Sequence, residues 1–310
     1  MLIETSGLTK KFGDTVAVQS LDLTISTGEL FGLVGPDGAG KTTSLRLLAG
    51  LLKVDSGTAH IAGLNLVEQP EKIKPLIGYM AQEFSLYGEL TVAENLRFFS
   101  ELYDVDRKVI GARAEELLEF AGLSEFKKRR ASKLSGGMKK KLALACTLIH
   151  RPKILLLDEP TTGVDPISRR EFWEILSELN LQGTTILVST PYMDEADRCQ
   201  RVGLMYEGRL VVCDRPAAIR QTVPGEVIEL RPGNWRAAKE ILQALPGVLQ
   251  IQTYGQSLQV FVDSAQERTD EIRGVLTQAG QEFSGLHVTQ PQMEQAFISL
   301  IHRLDKGEEL

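Results

Sequence analysis

The chain has 310 residues, 43% hydrophobic and 25% charged, an ordinary balance for a soluble globular protein, and its length favours two domains over one core. A formal net charge of −6 argues against general affinity for nucleic acid, whose binders carry a basic footprint. Three cysteines, Cys146, Cys199 and Cys213, form no CxxC pair, which excludes a zinc ribbon or disulfide framework and points to a reducing compartment.

In chain order, MLIETSGLTKKFG has no apolar core like that of a signal peptide. GELFGLVG (28–35) reads as a strand and KTTSLRLLAGLL (41–52) as a helix. TVAENLRFFSELYDV (91–105) reads as a helix opened by Thr91 and Glu94 at capping-box spacing. KILLLDEP (153–160) is a strand, RREFWEILSELN (169–180) a helix with apolar Phe172, Ile175, Leu176 and Leu179, and TTILVST (184–190) and RVGLMYEG (201–208) are further strands. Continuous apolar strands alternating with helices predict a largely parallel, buried sheet, hence an α/β domain. The longest apolar runs, such as ILLL at 154–157, fall far short of the roughly 20 residues that span a bilayer. If the protein works at a membrane, another chain does the spanning.

The character changes near TVPGEV (222–227). EVIELRP reads as a strand, NWRAAKEILQAL as a helix, and VLQIQTY and SLQVFVD as a strand pair around Gly255–Gln256. A helix over AQERTDEIRGVLTQAG, a strand at GLHVTQ and a last helix from Pro291 follow. This βαββαβ-like order predicts a small ferredoxin-like α+β domain over 221–310, after a first domain over 1–220.

GPDGAGKT (35–42) fits the phosphate-loop pattern between a strand and a helix. Gly35, Pro36, Asp37, Gly38, Ala39 and Gly40 would wrap the backbone around phosphate oxygens, with Lys41 reaching the β- and γ-phosphates and Thr42 and Thr43 opening the helix. Thr42 is a Mg2+ candidate. ILLLDEP (154–160) carries Asp158 to the phosphate end of the sheet, as a second Mg2+ ligand, and places Glu159 where it can polarise a water. LSGGM (134–138) sets Ser135, Gly136 and Gly137 before a helix, a second phosphate-ready helix start.

This order of motifs resembles the ATP-binding-cassette (ABC) ATPases, the motor subunits of ABC transporters, whose signature loop reads LSGGQ; the chain departs from it at Met138. The resemblance covers 1–220 and implies a P-loop cassette with a helical subdomain. It makes Phe12 the aromatic that stacks on adenine, Gln82 the Q-loop glutamine that senses Mg2+ and faces a transmembrane partner, and Asp165 the acidic residue of the D-loop. Cofactors implied are ATP and Mg2+, with Glu159 and Gln82 as catalytic groups and Thr42, Gln82 and Asp158 as metal ligands. PQMEQAF (291–297), after a cassette, is similar to the daunorubicin-resistance branch of drug and antibiotic exporters, which work with ABC-2 type permeases. The implied partners are such a permease and a second cassette, as homodimer, heterodimer or fusion. No nucleic acid is expected, and membrane contact comes only through the permease, on the cytoplasmic face. The polar ending LDKGEEL is compatible with the first half of a tandem-cassette chain. The basic run KKRRASKLSGGMKKK (127–141) reads as a solvated face flanking the signature.

Two departures fall in the chain's own nucleotide site. STPYMDEA places Pro191 where the family usually has a switch histidine, and proline offers neither a side-chain donor nor a backbone N–H. Asp37 stands where asparagine is common, adding negative charge near phosphates. The rival readings are a mainly nucleotide-binding regulatory half of an asymmetric pair, and a cytosolic ABC ATPase acting on ribosomes or DNA. Lys41→Ala is expected to weaken nucleotide binding tenfold or more, about 1.4 kcal/mol. Equal ATP affinity of both proteins in calorimetry would count against the phosphate-loop assignment.

Overall fold

The computed structural model describes residues 1–83 and 86–305, and the extreme C-terminus read above lies outside the described residues. The chain forms two compact units, Met1–Arg215 and Pro216–Leu310.

The first unit runs β1 (Ile3–Phe12), β2 (Thr15–Ile25), β3 (Leu30–Val34), α1 (Lys41–Leu48), β4 (Ser56–Ile61), β5 (Leu64–Asn65), α2 (Pro70–Ile73), β6 (Ile77–Met80), α3 (Val92–Leu102), α4 (Arg107–Phe120), α5 (Gly136–Leu148), β7 (Ile154–Asp158), α6 (Pro166–Leu181), β8 (Thr185–Thr190), β9 (Arg201–Tyr206) and β10 (Arg209–Asp214). Six strands form one sheet in the order β10-β9-β3-β8-β7-β6. All its pairs are parallel except β10 with β9. Every residue of β3, β7 and β8 is buried, as strands covered on both faces require.

A second, antiparallel sheet, β2-β1-β4-β5, is absent from the expectations drawn from the sequence. Its pairing of β1 with β2 shifts register between Thr5 and Leu8, between Leu8 and Lys10, and between Lys10 and Lys11. Such bulges break the period-two alternation that reveals a half-buried strand. Thr5 is buried there but satisfied, donating to Leu21 O at 2.8 Å and accepting from Leu23 N at 2.9 Å. One apolar cluster joins the two sheets, from Ile3, Leu8 and Leu21 through Phe31 and Leu45 to Leu156 and Leu187.

Helices α3, α4 and α5 pack on one another as the helical subdomain. The Thr91–Glu94 capping box is formed, with Glu94 N donating to Thr91 Oγ1 at 3.2 Å and Thr91 N to Glu94 Oε2 at 2.7 Å. Much of the basic run is paired: Lys127 with Glu115, Arg130 with Glu89 and Lys141 with Glu171. All three cysteines are free. Burial pushes the Cys146 thiol up and that of Cys199 up to about 12, so neither is a reactive thiolate. Among the described residues no helix is long and apolar enough to cross a membrane.

The second unit runs α7 (Pro216–Arg220), β11 (Glu226–Pro232), α8 (Trp235–Gln243), β12 (Val248–Tyr254), β13 (Ser257–Val262), α9 (Ala265–Gln278), β14 (Phe283–Thr289) and α10 (Met293–Asp305). Its sheet, β12-β13-β11-β14, is antiparallel throughout, the strand order of a ferredoxin-like fold. Ile228, Leu230, Val260 and Val262 form the core on one sheet face with Ala238 of α8 and Ile272 of α9. On the other face, Ser257 donates to Glu229 at 2.9 Å, and Gln295 of α10 donates to Gln259. The unit begins at α7, ahead of the change of pattern at TVPGEV, because α7 packs on α10.

The two apolar cores share no residue. A chain truncated after Arg215 is therefore expected to unfold cooperatively by itself. Calorimetric melting showing no transition for that fragment would contradict the division.

Candidate active site

The parallel sheet delivers its chemistry at the C-terminal ends of its strands, where open α/β sheets place ligands. β3 runs into the glycine-rich loop, β6 into Ala81–Gln82, β7 ends on Asp158, and β8 ends on Thr190. The loop needs glycine at position 40, where φ is +102° and a Cβ would lie 2.4 Å from Ala17 O. α1 starts with Gly40 as its N-cap and no side chain caps it, so its first N–H groups face outward with partial positive charge.

Lys41 is almost fully buried. Its ammonium donates to Gly35 O at 2.8 Å and Pro36 O at 2.9 Å and lies 3.2 Å from Glu159 Oε1. The carboxylate of Glu159 also accepts from Gln82 Nε2 at 2.8 Å and from Thr162 Oγ1 at 3.4 Å. Asp158, fully buried, accepts through Oδ1 from Thr42 at 2.9 Å and from Ser189 at 2.7 Å. Thus Lys41, Thr42, Gln82, Asp158 and Glu159, chosen from the sequence one by one, converge in a single cluster.

Two contributors carried no signal in the sequence. Ser189, the penultimate residue of β8, donates to Asp158 and accepts the Glu159 N–H at 3.0 Å, while its carbonyl accepts the same N–H at 3.1 Å. These bonds hold Glu159 at φ +46°, a left-handed conformation that costs a non-glycine residue free energy. Tyr79 of β6 buries its hydroxyl without a hydrogen-bond partner; burial pushes its pKa up, Arg46 nearby pulls it down, and the charge of Asp158 adds to the rise.

Asp158 Oδ2 is likewise buried without a partner. A desolvated carboxylate oxygen left bare is costly, and a hard cation bound there would satisfy it. Together with the Thr42 hydroxyl and the Gln82 side chain, this donor set fits Mg2+. Among the described residues no group of three or more His, Cys, Asp or Glu forms a self-contained metal cage. A site of this kind keeps positions for water and phosphate, as Mg2+ prefers.

Residues 18–162 match the family described as ABC transporter. Over 305 residues, 97% of this chain, it is 44% identical to the probable multidrug ABC transporter ATP-binding protein YbhF of Escherichia coli K12, of which it covers 52%. It is 33% identical to the daunorubicin resistance ATP-binding protein DrrA2 of Streptomyces coeruleorubidus, covering 99% of this chain and 97% of that protein. The chain belongs to the ABC transporter ATP-binding protein family. Among solved structures, the fold is similar to a dimeric ATP-binding cassette in a post-hydrolysis state bound to ADP and Pi. The TM-score is 0.63 at 28% identity, over 69% of this chain and 98% of that one. The protein cbiO1 of Clostridium perfringens, described as part of the ABC transporter complex cbiONQ, gives 0.66 at 26% identity, over 79% and 96%. The chain spans about half the length of the first curated relatives it matches.

Ser135 and Asp165 of this ABC cassette make their bonds outside the central cluster. Ser135 caps α5, accepting from Met138 N at 3.2 Å, and stays exposed. Gly137 is required by space, since a Cβ there would lie 2.4 Å from Ser168 Cβ. No described hydrogen bond or ion pair links Ser135, Gly136, Gly137 or Phe12 to Lys41 or Glu159. Phe12 is 50% exposed at the end of β1, with the Lys10 ammonium over its ring at 5.4 Å from the centroid. Asp165 caps α6, accepting from Ile167 N at 3.1 Å and Ser168 N at 3.0 Å. Asp37 lies exposed in the phosphate loop.

Pro191 follows β8 directly and brings no donor to Glu159. Its neighbours are committed elsewhere: Thr190 Oγ1 donates to the buried Glu195 and accepts from Tyr192 N at 3.1 Å. Glu195 also takes a hydrogen bond from Thr161 at 2.8 Å and lies 3.6 Å from Arg169 Nε. The segment after Pro191 is therefore pinned by a buried carboxylate.

Ser189→Ala removes the donor to Asp158 and one acceptor for the Glu159 N–H. It is expected to destabilise the protein by about 1–3 kcal/mol. An unchanged urea midpoint would show that these bonds do not hold the carboxylates in place.

Proposed function

We propose that this chain binds and hydrolyses ATP to power export of a drug- or antibiotic-type compound through a separate ABC-2 type permease, docked on the inner face of the cell membrane and paired with a second cassette. The observation that carries the reading is the convergence of Lys41, Thr42, Gln82, Asp158 and Glu159 at the strand ends. The names of the relatives, multidrug and daunorubicin-resistance ATP-binding proteins, support the export of such compounds.

The N–H groups of the glycine-rich loop and of the first turn of α1 bind the phosphates, and Lys41 compensates their charge. The phosphates compete with Glu159 for the Lys41 ammonium, so nucleotide binding frees the Glu159 carboxylate to orient and deprotonate a water. Gln82, bonded to Glu159, keeps that carboxylate aimed. Thr42, Asp158 and Gln82 would hold Mg2+, which would supply charge neutralisation for the phosphates. Phe12 offers its exposed ring to the base. Ser135, Gly136 and Gly137, which make no described bond to the chain's own Lys41 or Glu159, complete the site of a partner cassette.

The chain's own site is slow in this reading. Pro191 supplies no hydrogen-bond donor where a γ-phosphate contact is expected, and one lost charge-stabilising contact costs about 10²–10³ in rate. The same observation favours a second reading, a mainly nucleotide-binding half whose signature loop serves a more active partner.

Purified chain is expected to turn over ATP slowly, and Pro191→His to raise that rate. When it is paired with a cassette bearing its histidine, Ser135→Ala here should abolish the faster activity and Glu159→Gln here should scarcely change it. Rapid, Glu159-dependent hydrolysis by the unmodified chain alone would overturn the asymmetry.

A further inference from the structure

α5 carries three consecutive lysines one turn and a half beyond its Ser135 cap, and a helix sends consecutive side chains about 100° apart. Their environments differ accordingly. Lys139 is exposed, and Lys141 pairs with Glu171 of α6 at 2.6 Å. Lys140 turns inward, and its ammonium donates to the main-chain oxygen of Gln82 at 2.8 Å. Burial lowers its pKa, while Asp158, Glu159 and Glu83 pull the other way, so the ammonium stands in the field of both site carboxylates.

Among the described residues, the segment it reaches has one other side-chain anchor. Gln82 is exposed, and its side-chain amide is held by Glu159 at 2.8 Å. On the other side an open groove of about 420 Å3 separates Gln82 and Glu83 from Gly136, Lys139 and Ala143 of α5. The bond from Lys140 crosses that groove. A lysine serving only solubility would leave its ammonium in water, whereas this one fixes a main-chain carbonyl of the residue that touches the candidate base.

We propose that Lys140 is a positioning residue that ties Gln82 to the signature helix of the same chain and so sets the Gln82 amide against Glu159. The proposal rests on the assignment of Glu159 as base. It also gives α5 two functions at once: its first turn offers Ser135 to a partner cassette, and its second turn holds the chain's own Gln82. Displacement of α5 by a partner nucleotide is thereby transmitted to Gln82 through one side chain.

The test uses the full chain with Lys140→Met, which keeps the apolar stem, Lys140→Arg, which keeps the donor, Gln82→Ala, and the Lys140→Met/Gln82→Ala pair. Amide hydrogen exchange over residues 78–83 without nucleotide is expected to quicken severalfold in Lys140→Met and to return close to wild type in Lys140→Arg. Mg–ATP affinity should stay within about twofold, while kcat in Lys140→Met falls about tenfold with KM little changed. Lys140→Met should add no further loss in the Gln82→Ala background. Unchanged exchange in Lys140→Met, or full additivity of the two losses, overturns the tether. A wild-type chain that binds no Mg–ATP would instead overturn the assigned function, and the exchange comparison would still decide whether Lys140 holds Gln82.

Discussion

Two carboxylates, Asp158 and Glu159, stand desolvated at the end of one buried strand, with the Lys41 ammonium bonded between Glu159 and the phosphate loop. Removing such charges from water is expensive, and it is tolerated only when each is paired or hydrogen-bonded. The rest of the site follows from that requirement. Glu159 takes Lys41 and Gln82, Asp158 takes two hydroxyls, and the one oxygen left over is where a cation fits. Lys41 is shared between Glu159 and two loop carbonyls, so it can exchange one oxygen partner for another without being stranded.

A parallel sheet is the means by which residues from distant parts of the sequence reach one place. Parallel neighbours end on the same edge, so the register of β7 with β8, Asp158 opposite Ser189, makes their hydrogen bond a consequence of strand pairing. Parallel pairing likewise fixes β3 against β8, with Val34 opposite Thr190, and thereby sets the glycine-rich loop beside the segment that opens with Pro191. The apolar runs of these strands supply the burial; their last residues supply the chemistry.

The parts of this arrangement legible in the sequence were those with local signatures. Glycine spacing marks the phosphate loop, an apolar run marks β7, and Thr91 with Glu94 marks a helix start. The ferredoxin-like order was legible because each of its elements is short, regular and separated by turn residues. The antiparallel sheet was not, because the bulges in β1 and β2 erase its alternation. Ser189 and Tyr79 were not, because a serine or tyrosine in an apolar strand looks the same whether it meets a carboxylate or a carbonyl. Glu195 lies in an acidic run that reads as surface, yet it is buried, since its partners Thr161, Thr190 and Arg169 come from three other segments.

The left-handed backbone at Glu159 sets fold and chemistry in opposition. The strand end would be most relaxed with glycine there, which takes that conformation freely, whereas a glutamate in it stores strain on the order of 1–3 kcal/mol. Against that strain stand the bonds the carboxylate makes, since without it the buried Lys41 ammonium would lose its counter-charge. Position 159 thus couples two terms of opposite sign, a backbone that would relax with glycine and a buried ammonium that would be stranded by it.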